Sequence, residues 1–282
     1  TADKNINSYN DSIHGQGMLD LDEATKPQGA VGLPTSGRVE GTLTSLNNTY
    51  FATGSPSAFS ALAGLKLMVL DDYDRDYYIN LGNSFIPKDN RKYSDVDMML
   101  IKNDIFLPVQ QSYGSFTQGG QHQFYDYSFG VQTGEGGTGD YLVNVGRNFP
   151  FLKNFTLKTR LGQLNEQDTW LGNSSDGILS VGNHNKTNFG NIGVIYKLGR
   201  NEFSAEYTKG YTDINTTSSS IIKNFSDIQI AAHRFVHKFN KNEHNAFGWT
   251  FSIPSHITSG AMNLEVAESV NVDGTINYTA IN

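Results

Sequence analysis

From about residue 122 onward the chain alternates apolar and polar residues with a period of two, in repeated runs of strand length. Tyr125, Tyr127, Phe129 and Val131 alternate with Asp126, Ser128, Gly130 and Gln132. Phe155, Leu157, Thr159 and Leu161 alternate with Thr156, Lys158 and Arg160. Ile192, Val194, Tyr196 and Leu198 alternate with Gly193, Ile195 and Lys197, and Phe203, Ala205 and Tyr207 with Ser204, Glu206 and Thr208. Phe247, Trp249, Phe251 and Ile253 repeat the pattern against Gly248, Thr250 and Ser252. Successive side chains on a strand point to opposite faces, so each run builds one apolar and one polar face. Short turns such as Gly199-Arg200-Asn201 on one side, and longer polar loops on the other, make the expected fold an all-β, antiparallel up-and-down meander.

A two-faced meander suits either a soluble β-sandwich or a membrane β-barrel. No run of about 18 apolar residues is present, so a transmembrane helix is not expected. A spanning strand needs only about 10 residues of alternating polarity, which whole-chain hydropathy hardly registers. Net charge is −7 with no basic cluster, which argues against nucleic acid as a partner because phosphate neutralisation needs a Lys/Arg stripe. With 0 cysteines, disulfides, thiol catalysis and cysteine zinc sites are excluded, in keeping with passage through an oxidising periplasm.

Three parts are expected along the chain: residues 1–37, a connector over 38–121, and a strand-rich region over 122–282. In the first, Gly15 and Gly17 give a tight turn, Asp20 and Asp22 open a short helix, and Pro27 stops it. In the connector, Thr49–Ser55 reads as a polar turn and Ser57–Leu70 as a helix running into a strand. Leu70–Leu81 reads as a tight hairpin, with Asp71, Asp72 and the following carboxylates exposed and an internal ion pair to Arg75. A calcium loop through Asp72, Asp74 and Asp76 is disfavoured: Tyr77 stands where an EF-hand needs glycine, and no glutamate closes it.

Three runs carry a resemblance. His14–Pro27, with Gly15, Gly17 and Asp20, resembles the closing helix of a subtilisin-like protease domain. Leu70–Leu81, with Asp71, Asp72 and Arg75, resembles the run that follows that domain in subtilisin-like autotransporters. Gly162-Gln163-Leu164-Asn165-Glu166-Gln167-Asp168-Thr169-Trp170-Leu171-Gly172 is similar to a Gly-x-Leu-x-Glu-x-Asp-x-x-Leu-Gly run in their C-terminal region, and Ser252–Gly260 to a later piece of it. The order of the runs matches the family's. The resemblance implies the end of a protease domain followed by an outer-membrane β-barrel translocator, incomplete at its C-terminus. The implied partners are outer-membrane lipid, the barrel-assembly machinery and the protein's own N-terminal passenger, a serine protease at the surface of a Gram-negative cell. The rival expectation is a soluble β-rich adhesin or carbohydrate-binding module.

No catalytic residue is expected in the chain itself. The family's Gly-Thr-Ser-x-Ala nucleophile run does not occur, and no histidine or aspartate stands in a matching context, so the triad would lie upstream of Thr1. No cofactor is implied. His233 and His237 are four apart, but on a strand that separation is about 13 Å and cannot hold one metal ion. Glu166 and Asp168 as an acid/base pair are less expected than a turn or lumen-facing role. Arg160, Glu206 and Arg234 alternate with apolar neighbours and are expected to project into a polar interior, pairing across strands. The sequons at Asn154 and Asn215 are what an asparagine-rich chain makes by chance.

Overall fold

The structure, a computed structural model, describes residues 2–3, 10–14, 18–19, 21–53, 64–87, 116–124, 126–134, 141–171, 173–240 and 246–281. Gly15, Gly17, Asp20, Gly172 and the expected helix after Ser57 lie outside the described residues, apart from the strand Lys66–Leu70. The chain is all-β in class. Its main body is an antiparallel meander of β1 (Phe116–Phe124), β2 (Tyr127–Gly134), β3 (Tyr141–Leu152), β4 (Phe155–Glu166), β5 (Asn185–Leu198), β6 (Asn201–Asp213), β7 (Ile222–Asn240), β8 (Ala246–Val270) and β9 (Ile276–Ile281). Each strand pairs with the next in sequence, the order in the sheet running from β9 to β1 without a crossover. β1 and β9 are its edges: the sheet is open among the described residues, not a closed barrel.

The connections alternate as the sequence suggests. β3 and β4 are joined by Lys153 and Asn154, and β5 and β6 by Gly199 and Arg200, with Gly199 at φ +59, a conformation glycine adopts without steric cost. Residues 167–184 and 214–221 make the longer connections at the opposite end of the strands. β8 is far longer than the alternation of Phe247–Ile253 suggests. It continues through Pro254 and Gly260 because register shifts against β7, at Gln229 and between Ala231 and His233, absorb the irregular residues as bulges.

By contacts the chain forms two compact units, the smaller from residues 1–46, 67–79 and 267–278, the larger from the rest. The smaller unit carries a four-stranded sheet in the order Leu43–Ser45, Gly32–Pro34, Lys66–Leu70, Asp76–Asn80. Met68, Leu70, Ala267 and Ile276 form its buried cluster, with Val39, Leu43, Val270 and Tyr278 packed around them. The Tyr278 hydroxyl donates to the Pro34 carbonyl at 2.9 Å, and the Ile276 N–H to the Gly37 carbonyl at 2.9 Å.

In the larger unit, Tyr50–Thr53 and Phe85–Pro87 pair in parallel, and Asn173–Asp176 pairs with Tyr50–Thr53 from the other side. Of the expected polar turn at Thr49–Ser55, Tyr50–Thr53 is a strand, with Phe51 completely buried, and Gly54 and Ser55 lie outside the described residues. The reason is remote: the Phe51 ring lies 6.0 Å from Trp170 and 5.7 Å from Phe85, and Trp170 lies 5.2 Å from Phe225. Aromatic rings at such separations gain about 0.5–1.5 kcal/mol beyond their buried area.

Candidate functional site

The chemistry of the large sheet lies in the difference between its faces. Cross-strand register gathers the apolar alternation into rows. Phe155, Tyr196, Phe203, His237 and Trp249 are successive partners across β4 to β8. The next row is Leu157, Val194, Ala205, Phe235 and Phe251, and the third is Thr159, Ile192, Tyr207, His233 and Ile253. Further toward the long loops the same face turns polar at Gln163, Asn188, Tyr211 and Gln229. These rows are open: Phe251 is 63% exposed, Trp249 55% and Ile192 51%. Tyr127, Phe129, Val131, Val143 and Val145 extend the exposed face onto β2 and β3.

Both histidines of the His233/His237 pair sit on this outward face. His237 stacks on Phe203 at 4.6 Å and shares a 2.9 Å hydrogen bond with Asn201, while His233 lies 5.0 Å from Tyr207. Each ring is thus engaged with an aromatic neighbour on β6. Among the described residues no group of three or more metal-ligating side chains comes together.

The opposite face is more buried and, from mid-strand toward the long loops, carries paired polar side chains. Asn191 donates to the Thr208 hydroxyl at 2.8 Å, and the hydroxyls of Thr187 and Thr212 lie 3.0 Å apart. The three residues expected to face an interior are on this face. Glu206 is directly opposite Arg234 in the β6–β7 register and opposite Gly193 in the β5–β6 register. A Cβ on Gly193 would come within 2.8 Å of the Glu206 Cγ, so the missing side chain lets Glu206 lie across β5. Arg160, 9% exposed, is the cross-strand partner of Asn191, and the Glu206 charge acts on both Arg160 and Arg234. The sheet therefore brings together a carboxylate between two guanidiniums, from residues 46 and 28 positions apart, on its inner side.

Glu166 and Asp168 part company. Glu166 is 2% exposed, and its carboxylate accepts the Leu171 N–H at 2.6 Å and the Thr169 hydroxyl at 3.5 Å. Asp168 is exposed at φ 55, and Leu171 also takes a positive φ of 50. Such backbone is strained for residues other than glycine, and the Glu166 bonds hold it in place. Gly162 has its own reason: a Cβ there would run into the Phe189 ring, its neighbour on β5. The Gly162–Leu171 run is a turn-building device, with no acid/base geometry.

The other two runs meet in the smaller unit at Arg75. Its guanidinium holds the Asp71 carboxylate at 2.6 Å and donates to the carbonyls of Ala24 at 2.9 Å and Lys26 at 3.1 Å, at the end of the helix Leu21–Thr25. The ion pair is as expected, but Asp71 is not exposed: it is wholly buried, while Asp72 and Asp74 stay in solvent. Asp71 also accepts the backbone N–H groups of Gln28, Tyr73 and Arg75. Burial alone would raise its pKa; the Arg75 hydrogen bonds and those three N–H groups outweigh it and hold the carboxyl well below the usual carboxylate range. Nothing in either run taken alone signals the link from Arg75 to the helix carbonyls, because the partners are 51 and 49 residues away.

No protein-family model, curated protein or solved structure matches this chain.

Proposed function

We propose that the large sheet is part of an outer-membrane β-barrel that anchors and translocates a passenger, and that the passenger is a subtilisin-like serine protease. The observation that carries the membrane half is the sidedness. Three successive rows, mostly apolar and interrupted only by Thr159, His233 and His237, run partly to fully exposed across five strands, while Arg160, Glu206 and Arg234 lie on the other face. In water an apolar surface of that extent marks a binding or membrane-facing surface; in a bilayer it meets hydrocarbon, and aromatics at its turn-side border meet headgroups. A sandwich would lay a second sheet over the face, and no described element covers it. Backbone groups in lipid must be paired, so membrane residence requires the β1 and β9 edges to be closed by strands other than those described.

The protease half rests on the ordered runs His14–Pro27, Leu70–Leu81 and Gly162–Gly172, and the junction of the first two at Arg75 fits a closing piece of a preceding domain. The test is deletion of residues from 122 onward in the full protein, read by protease accessibility of the passenger on intact cells. The expected outcome is a passenger held in the periplasm, with heat-modifiable migration and surface exposure recovered when the region is restored. Normal surface exposure of the deleted form would overturn the reading in favour of a soluble adhesin or carbohydrate-binding module. The 282 residues alone should not be labelled by a fluorophosphonate probe, because the family's Gly-Thr-Ser-x-Ala nucleophile run does not occur in them. Labelling at one stoichiometric serine would place a catalytic site in this chain.

A further inference from the structure

The inner face of the large sheet carries a charge opposite in sign to that of the chain. In the register of β4 to β7, Lys158, Arg160, Lys197, Arg234 and Lys238 fall on that side, against Glu166, Glu202 and Glu206. Glu166 is taken up by the turn it holds, through the Leu171 N–H at 2.6 Å. Glu202 lies 3.5 Å from Lys197 and directly opposite Lys238. Glu206 lies opposite Arg234, and its charge acts on Arg160 as well. Each of these two carboxylates is thus shared by two cations, and Lys158 adds another, so this side is net positive in a chain of net charge −7. The flanking strands add no carboxylate: the partners across the register are Gly146, Asn148 and Pro150 of β3 and Gly248, Thr250 and Ser252 of β8.

The cations are also spread along the strands. Lys158 shares a cross-strand row with Gly193, Glu206 and Arg234. Arg160 stands two residues, about 7 Å, further toward the long loops, and Lys197 and Lys238 four residues, about 13 Å, toward the short turns. Exposure falls along the same line, from Lys197 and Lys238 in solvent, through half-buried Lys158 and Arg234, to Arg160 at 9%. In about 0.1 M salt the screening length is about 10 Å, so the fields of successive levels overlap. A recess lined by one sign of charge concentrates ions of the other sign, and lysine and arginine in a pore select anions. We propose that this face makes the lumen of the closed barrel an anion-selective pore that conducts small inorganic anions. The proposal rests on the membrane reading above, which supplies the closure.

The test uses the full-length protein reconstituted into planar bilayers of zwitterionic phosphatidylcholine, with insertion read separately by heat-modifiable migration. Under a potassium chloride gradient, the reversal potential should report chloride preferred over potassium by about threefold. Lys158→Gln combined with Lys238→Gln should bring that ratio to about 1, and the two Lys→Glu changes together should invert it. Lys209→Gln is the control: it removes a cation from the outward face, where Lys209 alternates with Tyr207 and Tyr211, and should leave the ratio unchanged. A wild type that prefers potassium, or neither ion, overturns the proposal. So does a ratio that the Lys158 and Lys238 changes leave alone, or that Lys209→Gln shifts as much. A protein that inserts without conducting overturns the pore and leaves the membrane reading standing. Failure of the wild type to insert would overturn both.

Discussion

The smaller unit and the large sheet dispose of their apolar residues in opposite directions. In the smaller unit Met68 and Leu70 are fully buried, and Ala267 and Ile276 close over them. In the sheet, Phe251, Trp249, Phe247 and Leu161 are each more than half exposed, while Arg160, Glu206 and Arg234 lie on the more buried side. One chain thus buries large apolar side chains in one region and leaves them exposed in another. Composition alone could not separate the two, since both are β-rich and moderately polar. The difference teaches that the fate of an apolar residue is set by which face the strand pairing leaves open, not by composition.

The comparison breaks most visibly under truncation of the two kinds of apolar residue. Leu70→Ala should destabilise the smaller unit by about 2–5 kcal/mol, the loss of buried methyl groups plus the cavity they leave. Phe251→Ala should cost the full-length protein in detergent less than about 1 kcal/mol, because its ring rests against solvent or detergent rather than a packed interior. Denaturant unfolding, with limited proteolysis to separate the units, measures both. A larger loss from Phe251→Ala would mean that the outward face packs against protein.

A charge on the sheet sharpens the same contrast. Tyr207→Arg, on the outward face, should cost about 2–4 kcal/mol if its depth is near the bilayer midplane. Ser204→Arg, three positions earlier and on the inner face, should cost much less. Glu206 is not a suitable inner control, because an arginine there would stand between Arg160 and Arg234. Refolding yield and thermal stability in phospholipid vesicles distinguish the pair. Equal tolerance would mean that the assigned register, or the lipid on one side of it, is wrong.

The smaller unit should also announce itself by pH. The Asp71 pKa is lower in the folded state than the ordinary carboxylate value, so its contribution to stability is complete above about pH 4, where the unfolded chain is already ionised. That contribution is lost as pH falls below this value toward the folded pKa. Asp71→Asn should therefore flatten the acid limb of the stability curve, and cost about 2 kcal/mol at neutral pH through weaker bonds to Arg75 and the three N–H groups. An unchanged acid limb in the variant, followed by denaturant unfolding at successive pH values, would show that Asp71 does not titrate with folding.

The sheet was legible because its information is local. Alternation sets the faces, Gly199-Arg200 sets a turn, and each strand meets the one before it, so no distant contact is needed to place Arg160, Glu206 and Arg234 on one side. The smaller unit was not legible for the opposite reason. The Tyr278 hydroxyl reaches Pro34 across 244 positions, and Arg75 reaches Ala24 across 51. Phe51 was misread as part of a turn because its neighbours Thr49, Thr53 and Gly54 are turn residues, whereas Phe85 and Trp170 decide its burial. Glu166 resembled half of an acid/base pair on spacing alone. Its role depends on the backbone N–H of Leu171, which spacing does not show.

The smallest expected effect tests whether the inner face is an organised charge network or merely a polar lining. Glu206 is half-buried between Arg160 and Arg234, and the missing Cβ of Gly193 gives it the room to lie there. Taking the carboxylate away leaves two guanidiniums facing each other with less to screen them, while taking Arg234 away leaves Glu206 with Arg160. Glu206→Gln and Arg234→Gln should each destabilise, and the double variant should cost less than their sum. The difference, about 1 kcal/mol, is the coupling between the two residues. Raising the salt concentration should shrink it if the face is open to water, since mobile ions screen exposed pairs most. A coupling insensitive to salt would place the pair in a dry interior, and no coupling at all would reduce the inner face to a row of independent polar groups.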